Sequence, residues 1–314
     1  MSTRLQRRPA PAGPAQARRS ARRPAPARRP GPDRLPAGRR PRANVLGTAV
    51  LFTLSAYFLL PAWWLLVGST KTSSDLFGSG GLWFSDFHLG DNLQELATAN
   101  HGLYFRWLLN TVLYAGVGAA AATLLAAMAG YALTKYRFRG REAVFNTILA
   151  AVLVPAPLLA LPVYLLLSKA HLVNTVWAVL LPSMISPFGV YLCRIYADAS
   201  VPDEILEAAR MDGAGEFRIF FTVVLRIFSP ALVTVFLFQF TTIWNNFFLP
   251  LVTLSDQKLW PVNLGLYYWN GLKDHTPYNL VVTGSLVSVV PLVVAFLLLQ
   301  RFWRTDLTAG GVKA

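Results

Sequence analysis

Glu207, Ala208, Ala209, Asp212 and Gly213 stand close together in a short polar stretch between two long apolar segments. The chemistry this spacing offers is recognition. Glu207 and Asp212 present carboxylates to a basic partner, and the small Ala208 and Ala209 let another surface approach a helix backbone. The stretch carries its own helix signals. Ser200 with Asp203 three residues on has capping-box spacing, Pro202 suits a first helical position, and Asp203 and Glu204 favour the positive end of the helix dipole. Gly213 supplies the left-handed residue that stops the helix. A second amphipathic stretch is expected behind it, with Phe217, Phe220, Phe221 and Val224 on one face. Taken alone, the same residues also fit a surface helix in which Glu207 pairs with Arg210, an interaction worth a few tenths of a kcal/mol.

A second group of residues could line a path. Asn110, Thr123, Asn146, Gln239, Thr241, Thr242, Asn245, Asn246 and Ser288 are neutral polar residues within apolar segments, where polar groups are expensive. Amides and hydroxyls beside Trp244 and Phe247 suit a neutral polyol, whose hydroxyls need hydrogen bonds and whose CH faces stack on rings. Trp244, Asn245, Asn246 and Phe247 are therefore the expected lining, against the plainer alternative of interhelical hydrogen bonds. Catalysis finds no support. The apolar segments hold no Asp or Glu in their middles, and His88, His101, His171 and His275 have no ligand partner at metal spacing. No G-x-x-x-x-G-K-[ST] phosphate loop occurs, so no cofactor is expected on this chain. Cys193 is the single cysteine, which excludes an internal disulfide, and it reads as a small buried residue.

The elements that must hold these residues are membrane helices. The chain has 314 residues, 54% hydrophobic and only 14% charged, against about 25% charged in soluble domains. Six segments, near 45–67, 107–133, 143–167, 173–195, 229–252 and 280–301, are apolar over the roughly 20 residues a helix needs to cross a bilayer. Pro155, Pro157, Pro162, Pro182 and Pro187 are expected to kink the third and fourth. Gly116, Gly118 and the alanines up to Gly130 give the second a close-packing face.

The net charge of +14 comes largely from thirteen arginines in residues 1–44, a segment otherwise mainly Pro, Ala and Gly. Such a tail is expected to be disordered and to lie against anionic headgroups, not to bind nucleic acid. With the N-terminus inside, 24 of the 29 Lys and Arg fall on the cytoplasmic side, and both termini are cytoplasmic. The loop of about 196–228 then faces the cytoplasm. The outside segments, about 71–106 and 253–279, carry Trp83, Phe84, Phe87, Trp260, Tyr267, Tyr268, Trp269 and Tyr278, as interface anchors or as docking surface.

Glu207-Ala208-Ala209 followed by Asp212-Gly213-Ala214 resembles the EAA signature of binding-protein-dependent ABC importers. Trp244-Asn245-Asn246-Phe247-Phe248-Leu249-Pro250 and the terminus from Gln300 to Lys313 are similar to the smaller, six-span subunit of maltose-type carbohydrate permeases. The resemblance covers about 45–314. It implies an all-α fold and a coupling role for Glu207, Ala208, Ala209, Asp212 and Gly213 against a cytoplasmic ATPase dimer. It also implies a second homologous permease subunit, an extracytoplasmic solute-binding protein, ATP-Mg on the ATPase, a sugar or oligosaccharide substrate, and a place in the bacterial cell membrane. The family usually closes the loop with Leu-Pro; here Arg226 follows Leu225 and the next proline is Pro230. A secondary carrier would need no ATPase, and a membrane-embedded enzyme would need acid–base or metal residues within the spans.

Overall fold

The structure, a computed structural model, describes residues 45–272 and 276–309. The Arg-rich tail of 1–44, Lys273, His275 and the terminus from Gly310 lie outside the described residues. The chain divides into two units, Met1–Leu54 and Ser55–Ala314. The described part of the first is the exposed, apolar beginning of one helix.

That helix, α1 (Val45–Ser69), is followed by α2 (Ser73–Gly78), α3 (Leu89–Thr98) and α4 (Leu103–Lys135). Next come α5 (Arg141–Val152), α6 (Ala156–Lys169), α7 (Trp177–Ser183) and α8 (Pro187–Ser200). The polar loop holds α9 (Asp203–Met211) and α10 (Glu216–Ile219), a π-helical turn over Phe220–Val224, and α11 (Leu225–Ile227). The chain finishes with α12 (Ser229–Trp244), α13 (Phe248–Thr253), α14 (Val262–Asn270) and α15 (Tyr278–Ala309).

Among the described residues, four helical stretches are long and apolar enough to cross a membrane, and the number rises to six if each of two bent pairs counts as one span. One of these bends, and a separate break after α12, correct two expected boundaries. The third span is broken between α5 and α6, which meet at 112°, where Pro155 and Pro157 withhold amide hydrogens. The fifth does not run from 229 to 252. α12 stops at Trp244, and residues 245–247 interrupt the helix before α13. Pro187 opens α8 instead of kinking a continuous helix, with the Ser186 hydroxyl accepting from the Gly189 amide at 3.1 Å.

α4 is the centre of the second unit and packs along α8 and α12. Its small residues make that possible. A Cβ on Gly130 would sit 2.6 Å from Cys193 Cβ on α8, and one on Gly118 would sit 2.9 Å from Ile243 Cδ1 on α12. Cys193 is fully buried, as expected of a small apolar filler. Gly116 departs from the expected packing face: a Cβ there would meet nothing within 4 Å among the described residues.

At the other end of α4, the segment after α13 folds back onto the helix. Trp107 Nε1 donates to Gln257 O at 2.8 Å, Asn110 Nδ2 to Lys258 O and Trp260 O, and the Tyr114 hydroxyl to Leu259 O at 2.8 Å. Behind them Gly265 on α14 lies against the Trp107 ring. Trp269 is thereby a core residue, not an interface anchor, while Trp83, Phe87, Tyr267 and Tyr268 are exposed.

Candidate functional site

The polar loop forms where two helix starts and one glycine stop fall close together. α9 begins at Asp203, with Asp203 and Glu204 in its first turn. The capping box expected from Ser200 does not form. Ser200 is the last residue of α8, and Pro202 caps α9 without a side-chain bond. Asp203 turns instead to Lys135, whose Nζ donates to Oδ1 at 2.7 Å.

The stop is as expected. Gly213 adopts φ +78°, its amide donates to Arg210 O at 2.9 Å, and the Ala214 amide donates to Ala209 O at 3.0 Å. This is the Schellman arrangement, which needs a residue free to enter the left-handed region.

Leu206 anchors the apolar side of α9, with Ala209 packed against the same cluster. Leu206 is buried with Ile219, Phe220, Val224 and Phe228 against Ala126, Ala127 and Tyr131 of α4. The second stretch therefore does not place Phe217, Phe220, Phe221 and Val224 on one face. Phe220 and Val224 point into the core with Ile219, while Phe217 and Phe221 are exposed.

Polar bonds fix what Leu206 anchors. Glu216, the first residue of α10, accepts from Arg210 Nε at 2.7 Å and from the Tyr136 hydroxyl at 2.5 Å. Arg210 is thus engaged with Glu216, and the Glu207–Arg210 pair of the alternative, surface-helix reading is not among the ion pairs of the described residues. Lys135 and Tyr136 hold both ends of the loop to α4, one through Asp203 and one through Glu216. The Arg210 guanidinium first, and the Tyr136 hydroxyl second, hold the Glu216 carboxyl below the usual carboxylate range. Burial, followed by the bond to Glu216, pushes the Tyr136 phenol up.

These contacts leave one side of α9 uncovered. Glu207, Ala208, Met211 and Asp212 are exposed, together with Gly213, while Ala209 is half-buried and packs inward. Four of the five expected recognition residues thus share open surface, and Ala209 supports it from below. Lys135, Tyr136 and Glu216 were not among the expected site residues. Glu216 is readable as a helix-opening acid, but its partners lie 80 and six positions away.

The expected lining residues are brought to one break in the chain and then separated. Trp244 is buried, with its ring stacked on Phe240 at 5.4 Å and its carbonyl accepting from Asn263 Nδ2 at 2.9 Å. Asn245 is exposed and caps α12, its Nδ2 donating to Thr241 O at 2.8 Å. Asn246 and Phe247 are half-buried; Asn246 Oδ1 accepts from the Leu249 amide and Phe247 meets Tyr267 edge-on at 4.8 Å. Among the other amides, Gln239 Nε2 donates to Ser183 O and Asn110 holds the folded-back segment, so both serve packing. Thr241, Thr242 and Asn245 remain on exposed surface at the end of α12.

Interrupted spans and a polar loop tied to the bundle by Asp203 and Glu216 are features that a transporter permease needs. Residues 122–305 match the family described as binding-protein-dependent transport system inner membrane component. The chain is 36% identical over 256 residues to the arabinooligosaccharides transport system permease protein AraQ of Halalkalibacterium halodurans, covering 79% of this chain and 89% of that one. It is 30% identical to the lactose transport system permease protein LacG of Rhizobium radiobacter (79% and 89% covered). With the diacetylchitobiose uptake system permease protein NgcG of Streptomyces coelicolor it shares 29% (83% and 86%). A solved bacterial ABC transporter involved in the import of the acidic polysaccharide alginate has the same fold, with TM-score 0.72 at 21% identity, over 82% of this chain and 95% of that one. The chain belongs to the family of inner-membrane permease components of binding-protein-dependent transport systems.

Proposed function

We propose that this chain is one permease subunit of a sugar or oligosaccharide importer, moving solute by alternating access and driven by a separate ATPase. The observation that carries the reading is the open face of α9. Glu207, Ala208, Met211 and Asp212 are exposed on a helix that Leu206, Asp203 and Glu216 hold firmly to α4. A rigid, acidic, small-residue face of this kind suits docking into a basic cleft of a cytoplasmic ATPase dimer. Glu207, Ala208, Asp212 and Gly213 form the contact, and Ala209 seats the helix.

ATP-Mg belongs to that partner. When the dimer closes, the docked α9 is displaced, and Lys135 and Tyr136 carry the displacement to the end of α4. α4 runs through the centre of the bundle to Trp107 and Asn110, which hold the 257–260 segment on the opposite side. The far side, with exposed Trp83, Phe87, Tyr267 and Tyr268, receives an extracytoplasmic solute-binding protein. Both termini are cytoplasmic, and a second homologous permease subunit completes the path.

The carbohydrate substrate is supported by the relatives named for arabinooligosaccharides, lactose and diacetylchitobiose. It is also supported by the neutral surface of Thr241, Thr242 and Asn245 at the end of α12, with Asn246 and Phe247 following. Hydroxyls and amides without a charge suit an uncharged polyol. Uptake of labelled oligosaccharides by cells lacking this chain, with and without complementation, tests the reading. Restored uptake that depends on ATP supports it; restored uptake that follows the proton gradient alone contradicts it.

A further inference from the structure

A second polar site lies away from α9, in the corner where the end of α4, the start of α5 and α8 meet. A cavity of about 230 Å³ opens there, lined in part by Arg141, Phe145, Tyr191, Arg194, Ile195 and Asp198. The Arg194 guanidinium lies 3.8 Å from the centre of the Phe145 ring, and its Nη2 donates to both Glu142 oxygens at 2.7 and 2.9 Å. Its Nη1 is buried and has no hydrogen-bond partner among the described residues. A buried guanidinium nitrogen left without an acceptor is costly, and an anion is the natural remedy. Arg141 shares Glu142 with Arg194 at 3.2 Å. Arg137 and Arg139 stand exposed on the adjoining turn, with the half-exposed Phe138 between them. Four arginines against Glu142 and Asp198 leave the corner with a net positive charge.

The walls beyond the charged corner are apolar and uncovered. Val144, Leu149 and Val152 on α5 and Phe188 and Ile195 on α8 are exposed. Positive charge at the end of a bundle, continuous with exposed apolar helix surface, matches an amphiphile with an anionic head. We infer that this corner is a binding site for an anionic phospholipid, with its phosphodiester on Arg194 and Arg141 and its acyl chains along α5 and α8. Arg137 and Arg139 add charge at the rim, and Asp198 offers an acceptor to a headgroup hydroxyl. A free phosphate shares the head chemistry but has no use for the apolar walls. Glu142 competes for Arg194 and limits affinity.

Native mass spectrometry of the full transporter, released from micelles of phosphatidylcholine and phosphatidylglycerol, counts the lipid retained. Wild type is expected to hold phosphatidylglycerol in preference to phosphatidylcholine. Arg194→Gln and the more exposed Arg141→Gln are each expected to reduce that retention several-fold. Glu142→Gln, which releases Arg194 from its carboxylate, is expected to raise it. Arg218→Gln, an exposed arginine on α10, is the control and leaves it unchanged. Equal loss with Arg218→Gln means general surface attraction and overturns the site. Displacement of the lipid by inorganic phosphate at matched concentration identifies a free-anion site and overturns the lipid. Retention by the isolated chain but not by the assembly means a partner protein covers the corner, which also overturns it.

Discussion

The Tyr136 hydroxyl donates to Glu216 Oε2 at 2.5 Å, tying the end of α4 to the first residue of α10. Because Arg210 on α9 binds the same carboxylate, one side chain joins three elements. Glu216→Gln keeps the size of the group but removes the charge that both donors use. The variant is expected to assemble with its ATPase and to hydrolyse ATP, with solute uptake reduced several-fold. Tyr136→Phe is expected to act in the same direction and more weakly, since Arg210 remains. Measuring uptake and ATP hydrolysis in parallel in proteoliposomes separates loss of transmission from loss of docking.

The same tie predicts a pH window. The folded Glu216 carboxyl is held below the ordinary value, mainly by Arg210 and then Tyr136, so its contribution to stability is present above the ordinary carboxylate range of about 4.3 and is lost as pH falls through the lower folded value. Tyr136 shifts the opposite way, through burial first, so its contribution is present below about 10 and is lost only as pH rises through its raised folded value. The melting-temperature difference between wild type and Glu216→Gln should therefore be flat across neutral pH and shrink only in acid below the carboxylate range. A difference that changes between pH 6 and 8, roughly the range where histidines titrate, contradicts the assignment.

Glycine contacts give a stability contrast. A Cβ on Gly265 would lie 2.0 Å from Trp107 Cε3, and the ring is held by its bond to Gln257 O. Gly265→Ala should destabilise the chain by about 1–3 kcal/mol, the usual range for overpacking, seen as a lower melting temperature in detergent. A Cβ on Gly116 would meet nothing within 4 Å among the described residues, so the isolated Gly116→Ala chain should melt as wild type does. A lower yield of the complete transporter with that variant would locate the second permease at Gly116.

The break after α12 separates structure from transport. Trp244 is buried on Phe240, so Trp244→Ala should cost about 3 kcal/mol, as large-to-small changes in packed cores do. Asn245 is exposed and its side chain gives up only the bond to Thr241 O, so Asn245→Leu should cost no more than about 1 kcal/mol and lower uptake. Unchanged uptake with Asn245→Leu removes that residue from the path.

Local patterns were legible in the sequence, and long-range ones were not. The stop at Gly213 and the acidic start of α9 depend on a few neighbouring residues and could be read directly. The small-residue seam of α4 was legible because close helix approach demands Gly and Ala, yet which glycines meet a neighbour within the chain was not, as Gly116 shows. The Ser200 cap failed because that residue was already spent in α8. Phe217 and Phe221 were misplaced because the buried face runs through Ile219, Phe220 and Val224, across a π-helical turn at 220–224 that a regular 3.6-residue period does not describe. The partners of Glu216 and the core position of Trp269 depend on segments distant in the chain, which apolar periodicity does not report.

Co-purification of the ATPase with this chain from its native membrane tests the docking role of α9. Wild type should be compared with Glu207→Lys and Ala208→Trp, both on the open face of α9. Recovery of the ATPase and a second permease with wild type, and loss of the ATPase alone with either variant, is the predicted result. Equal recovery of the ATPase with wild type and both variants would contradict the docking role of α9.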